Sequence, residues 1–124
     1  AEKVPCVAAG IVAMKTKEPT WNFTPGDKPM RDSGLVSVPY VGTGFMLIDR
    51  AVLKDVRELN TSLLYDAEGG DEAGCDYFRA GVNKDGKYMG EDHAFCELVR
   101  SFGFPVFVNT EVRIGHVGKM IYPC

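Results

Sequence analysis

Phe95, Leu98, Val99 and Phe102 recur at i, i+3, i+4 and i+7, and that spacing marks one face of an α-helix. Both ends of the pattern carry punctuation. Glu91 and Asp92 stand where the helix opens, and carboxylates there accept orphan N–H groups and complement the helix dipole. Gly103 supplies a left-handed stop, and Pro105 blocks continuation. The spacing predicts a helix over 92–102, an element that needs an apolar partner to cover its stripe.

The partner is a β-sheet. Residues 4–14 are rich in valine and alanine and read as a buried strand. Leu35 to Pro39 alternates in strand fashion, and Phe45-Met46-Leu47-Ile48 reads as a short buried strand. Asp49 is placed to cap a second helix over 50–58, with Val52, Leu53 and Val56 on its apolar face. Residues 104–108 read as a strand, Asn109-Thr110 as a turn, and 112–117 as a further strand or extended tail. Residues 15–33 hold three prolines and read as a loop anchored by Trp21 and Phe23. Residues 60–88, rich in glycine and acids, read as a mobile loop beside the functional site, with Tyr77-Phe78 as a short anchor. The fold class is therefore α+β: a single domain over 1–124, with a small mixed sheet of three to five strands packed against two main helices.

Composition narrows the function. A net charge of −3 with no basic stripe argues against a nucleic-acid partner. No apolar run approaches the roughly 20 residues a transmembrane helix needs. Cys6, Cys75, Cys96 and Cys124 are too widely spaced for a zinc ribbon or a compact disulfide scaffold. Reduced thiols in a cytoplasmic protein are the expectation, with a disulfide to Cys124 left open.

Three motifs have the residue types for chemistry. Glu91-Asp92-His93 sets two carboxylates and an imidazole at a helix start, where the dipole keeps a general base ionised. Capping alone is their plainer use. Gly115-His116-Val117-Gly118 offers a histidine between glycines that permit close approach. His116 comes after the acid pair by way of a helix, a strand and a turn, an excursion that brings the chain back toward its start. Gly42-Thr43-Gly44 is either a tight turn before a strand or a wall beside a sugar or phosphate; Leu47 replaces the last glycine of a dinucleotide fingerprint. His93 and Cys96, three apart on a helix, form with His116 and a distant cysteine a further candidate set for structural zinc, though packing as a small hydrophobe is the plainer use of Cys96.

In order and spacing these motifs resemble the acceptor-side, C-terminal half of a GT-A glycosyltransferase of the inverting, family-2-like group. The match runs through Gly42-Thr43-Gly44-Phe45-Met46-Leu47-Ile48, Gly90-Glu91-Asp92-His93-Ala94-Phe95-Cys96, Val106-Phe107-Val108 and Gly115-His116-Val117-Gly118, and covers nearly the whole chain. The resemblance implies that Asp92 deprotonates an acceptor hydroxyl and that Glu91 holds the acceptor or Asp92. It further implies that Gly42, Thr43 and Gly44, with His93, line the sugar cleft. His116 would help bind a divalent cation, Mn2+ or Mg2+, under the diphosphate of a nucleotide-sugar. A glycan would be the acceptor.

Enzymes of this kind also carry a nucleotide-binding half ending in Asp-x-Asp, and this sequence contains no Asp-x-Asp. The expectation is therefore a catalytic half that takes its donor site from a nucleotide-binding partner chain. The alternative is a non-catalytic glycan- or protein-binding module on the same scaffold that forms a homo-oligomer.

Overall fold

The computed structural model describes residues 4–14, 34–118 and 121–123. The predicted loop over 15–33, with Trp21 and Phe23, lies outside the described residues. At the centre is a four-stranded mixed sheet. Its strands are β1 (Val7–Val12), β2 (Leu35–Ser37), β3 (Met46–Ile48) and β8 (Val106–Ile114), in the order β2-β8-β1-β3. β1 runs parallel to β8 and antiparallel to β3, while β2 runs antiparallel to β8. The α+β class with a small mixed sheet and two helices is the architecture observed.

One face of the sheet is the core. Val7, Ala9 and Ile11 of β1 and Val106 and Val108 of β8 point the same way, as period-two alternation requires. They pack against Val52 of α1 (Arg50–Leu59) and against Phe95, Cys96 and Val99 of α2 (Glu91–Ser101). Helix α1 starts as its sequence dictates: the Asp49 carboxylate accepts the Ala51 N–H at 2.9 Å. Helix α2 ends at Gly103, whose φ of +84° lies in the left-handed region that glycine enters without a Cβ penalty.

Four expectations need correcting. The buried face of α2 is Phe95, Cys96 and Val99, with Leu98 half-buried; the stripe is rotated toward Cys96, a small apolar group in practice. The segment 60–88 is not a structureless loop. It holds a short 3₁₀ turn (Thr61–Leu63) and two small hairpins, β4 (Leu64–Tyr65) with β5 (Gly74–Cys75) and β6 (Gly81–Val82) with β7 (Tyr88–Met89). Its expected anchor is present: the Phe78 ring stacks on Phe95 at 4.2 Å, and the Tyr77 hydroxyl donates to the Leu53 carbonyl at 3.1 Å. Strand β3 is not buried, because it is an edge; Leu47 is 68% exposed on the face away from the helices.

The fourth correction concerns β8, which continues through the expected Asn109-Thr110 turn. Gly10 pairs with Asn109, and the next residue, Ile11, pairs with Arg113. Thr110, Glu111 and Val112 are thus extruded as a bulge, a device that bends a strand and re-aims the residues beyond it. Past the bulge, Val12 pairs with Ile114, and the Ala13 N–H donates to the Ile114 carbonyl at 3.1 Å. The chain then enters β9 (His116–Val117), which pairs with β10 (Ile121–Tyr122).

Candidate active site

Three successive contacts join the 40–43 segment to the first turns of α2. The Tyr40 ring stacks on His93 at 4.7 Å between centroids, with 24° between the planes. The buried Cys96 thiol lies 3.5 Å from the Val41 carbonyl. The Thr43 hydroxyl donates to Asp92 Oδ1 at 3.1 Å, across 49 residues of sequence. Two of the three motifs are therefore in direct contact. The contact with Thr43 occupies one carboxylate oxygen of Asp92; no hydrogen bond to the other is found among the described residues.

The capping role that sequence alone favours for the acid pair is only half realised. Gly90 is the N-cap residue and makes no side-chain cap bond, while Glu91 and Asp92 sit in the first turn, where the helix dipole favours their charge. Gly90, Glu91, Asp92 and His93 line an open hollow of about 240 Å³. A carboxylate on the wall of such a hollow can accept a proton from a hydroxyl.

The third motif reaches the same end of the sheet by another route. A Cβ on Gly44 would lie 3.1 Å from Val12, so the Thr43-Gly44 turn rests on the last residue of β1. One residue further, the Ala13 carbonyl lies 3.0 Å from His116 Nδ1. A carbonyl can only accept, so Nδ1 is the donor in this contact, and Nε2 is the ring nitrogen that Ala13 does not engage. This is the arrangement that orients a metal-ligating histidine. His116 is not among the residues lining the Asp92 hollow. The two side chains stand at one end of β1, linked through Thr43, Gly44, Val12 and Ala13.

Among the described residues, no three His, Cys, Asp or Glu side chains are grouped to hold a metal ion. His93, Cys96 and His116 do not form such a group. Each makes its own contact instead: His93 stacks on Tyr40, the buried Cys96 thiol lies by the Val41 carbonyl, and His116 Nδ1 lies by the Ala13 carbonyl. Cys6, Cys75 and Cys96 are free thiols, and burial pushes the Cys6 and Cys96 thiols up from their ordinary range.

No protein-family model matches the chain, and no curated protein matches it.

Two features had no warning in the sequence. Tyr40 is one, clamped between His93 and Arg100, whose guanidinium carbon lies 5.8 Å from the ring centre; a lone tyrosine after Pro39 carries no periodic signal. The other is a second cavity of about 350 Å³ between the β6–β7 hairpin and the outer face of α2. Met89 and Leu98 lie along it, with Glu97 and Ser101 following at helical spacing from Ala94. This is the side of α2 turned away from its buried face.

Proposed function

We propose that this chain is the acceptor-side half of a GT-A type glycosyltransferase, with Asp92 as the base that takes a proton from an acceptor hydroxyl. The observation that carries the reading is the Thr43–Asp92 hydrogen bond. It joins the glycine-flanked turn to the acid pair and fixes the carboxylate at the hollow. Thr43 would position Asp92, and Glu91 and His93 would line the place where the acceptor lies. Gly42 would stand at that wall, while Gly44 lets the turn seat closely on Val12. His116, with Nε2 available, fits a divalent cation, Mn2+ or Mg2+, as one ligand. The remaining ligands would come from the diphosphate and a nucleotide-binding partner. The cation would supply charge stabilisation of the leaving diphosphate.

The test is transfer from nucleotide-sugars to glycan acceptors with Mn2+ present, by the chain alone and mixed with candidate nucleotide-binding domains. Activity in either arm should fall on Asp92→Asn by about 10²- to 10⁴-fold, the usual contribution of a general base. Recovered activity that survives this substitution unchanged removes Asp92 from the role.

A second reading is favoured by a separate observation. Phe45 and Leu47 are exposed beside an open sheet edge, and such surface invites association. On this reading the chain is a non-catalytic, self-associating module that binds a glycan or a protein. Titration with a nucleoside diphosphate and Mn2+, of the chain alone and mixed with the candidate nucleotide-binding domains, separates the two. Binding that His116→Ala abolishes supports the catalytic half; no binding supports the module.

A further inference from the structure

The sheet ends on one side at β3, and its backbone shows which groups are open. The Asp49 N–H donates to the Cys6 carbonyl, and the Gly10 N–H donates to the Phe45 carbonyl, each at 3.0 Å. In an antiparallel ladder, hydrogen-bonded and non-bonded pairs alternate. With Ala8 opposite Leu47, the residues of this segment bonded to β1 are Phe45, Leu47 and Asp49. The N–H and C=O of Met46 and Ile48 therefore point away from β1, along the open edge. No hydrogen bond to these four groups is found among the described residues.

Natural edges are usually guarded by lysine, proline or an inward charge. Here the run from Val41 to Ile48 holds neither charge nor proline. Apart from Thr43, its exposed side chains are apolar, with Leu47 68% and Phe45 46% exposed.

The geometry points to a second copy of this chain as the occupant of that edge, adding its β3 antiparallel to the first across a two-fold axis. The register follows from the open groups. With Leu47 facing the second copy's Leu47, Met46 of each chain faces Ile48 of the other, and each such pair exchanges two hydrogen bonds, satisfying all four groups on each edge. Registers centred on Met46 or on Ile48 satisfy only half of them. The Leu47 pair becomes a non-bonded pair, with Cα atoms about 4.5 Å apart and side chains in contact. Each Phe45 lies diagonal to the other copy's Leu47, within reach of an aromatic ring. Asp49 comes opposite Phe45, so no like charges meet. The two four-stranded sheets become one of eight. This gives the self-association of the second reading a surface and a register, and rests on that part of it; the transfer reading does not depend on it.

The experiment is light scattering after size exclusion, from low to high micromolar concentration, on the wild-type chain and two variants. Met46→Pro removes an outward donor while leaving the bonds to β1 intact. Leu47→Lys puts a charge on each side of the two-fold and alters a side chain already in solvent. The wild type should double in mass with concentration. Both variants should weaken association at least about tenfold, with unchanged far-ultraviolet circular dichroism. A wild type monomeric throughout overturns both the pairing and the self-association reading. A dimer that neither variant weakens overturns the β3 pairing alone. Leu47→Lys decides if Met46→Pro fails to fold.

Discussion

Gly10→Ala probes the bulge that sets His116 in place. At Gly10 an added Cβ would lie 2.8 Å from Val112 Cγ1, 3.2 Å from the Val112 carbonyl oxygen and 3.3 Å from a Phe45 ring carbon. These neighbours do not yield equally. Val112 can change rotamer, and the half-exposed Phe45 ring can swing outward. The carbonyl oxygen belongs to the bulge itself and can retreat only if the backbone shifts. Overpacking of this kind costs about 1–3 kcal/mol. At roughly 4 °C per kcal/mol for a domain of this size, Tm should fall by about 4–12 °C. Thermal and urea unfolding followed by circular dichroism measure it. Val112→Ala in the Gly10→Ala background removes the nearest contact but not the carbonyl. The pair should therefore show a favourable coupling of about 0.5–1.5 kcal/mol in a double-mutant cycle. The His116 ring nitrogen signals should also move in Gly10→Ala, because the bulge precedes Ile114 and the Ala13–His116 contact. A loss below about 0.5 kcal/mol, the range of ordinary surface changes, would refute the close approach of β8 to β1.

Further outcomes are expected at other sites. Phe95→Ala should cost about 3–5 kcal/mol, since the ring is wholly buried and stacked on Phe78; a urea midpoint shift measures it. Thr43→Val should leave the fold intact and, if Asp92 is the base, reduce transfer by less than Asp92→Asn does, because Thr43 acts by holding one carboxylate oxygen. Burial, reinforced by the nearby Asp92 charge, raises the Cys96 thiol above its ordinary value of 9.0. A raised acid favours the folded state below that value, and the benefit is lost as pH climbs through it. Urea midpoints should accordingly fall above about pH 9, and the slope should flatten in Cys96→Ala. Cys96 should also resist thiol reagents until the chain unfolds, a result read from labelling with and without denaturant.

Elements whose signals are local could be read from the chain alone. Helix α1 was legible from Asp49 and its Val52–Val56 face, and helix α2 from the acid pair at its start and Gly103 after it. Both patterns report contacts within one or two turns of chain. The central strand was legible too, because a run such as Val7–Val12 can only be covered on both faces. The candidate residues Asp92, Thr43 and His116 were chosen by residue type and order, but nothing in that order says that Thr43 reaches Asp92 or that His116 leans on Ala13. Those contacts exist because two strands and a helix end at one point. Three further matters were settled by packing in three dimensions. One is that β3 is an edge, since burial of a short apolar strand depends on how many neighbours it acquires. Another is that β8 bulges instead of turning, since register is a property of two strands together. The third is that 60–88 folds into hairpins, since two-residue strands carry no periodicity to read. Backbone hydrogen bonding and close packing act between segments far apart in the chain, and a linear pattern holds no record of which distant segment will answer it.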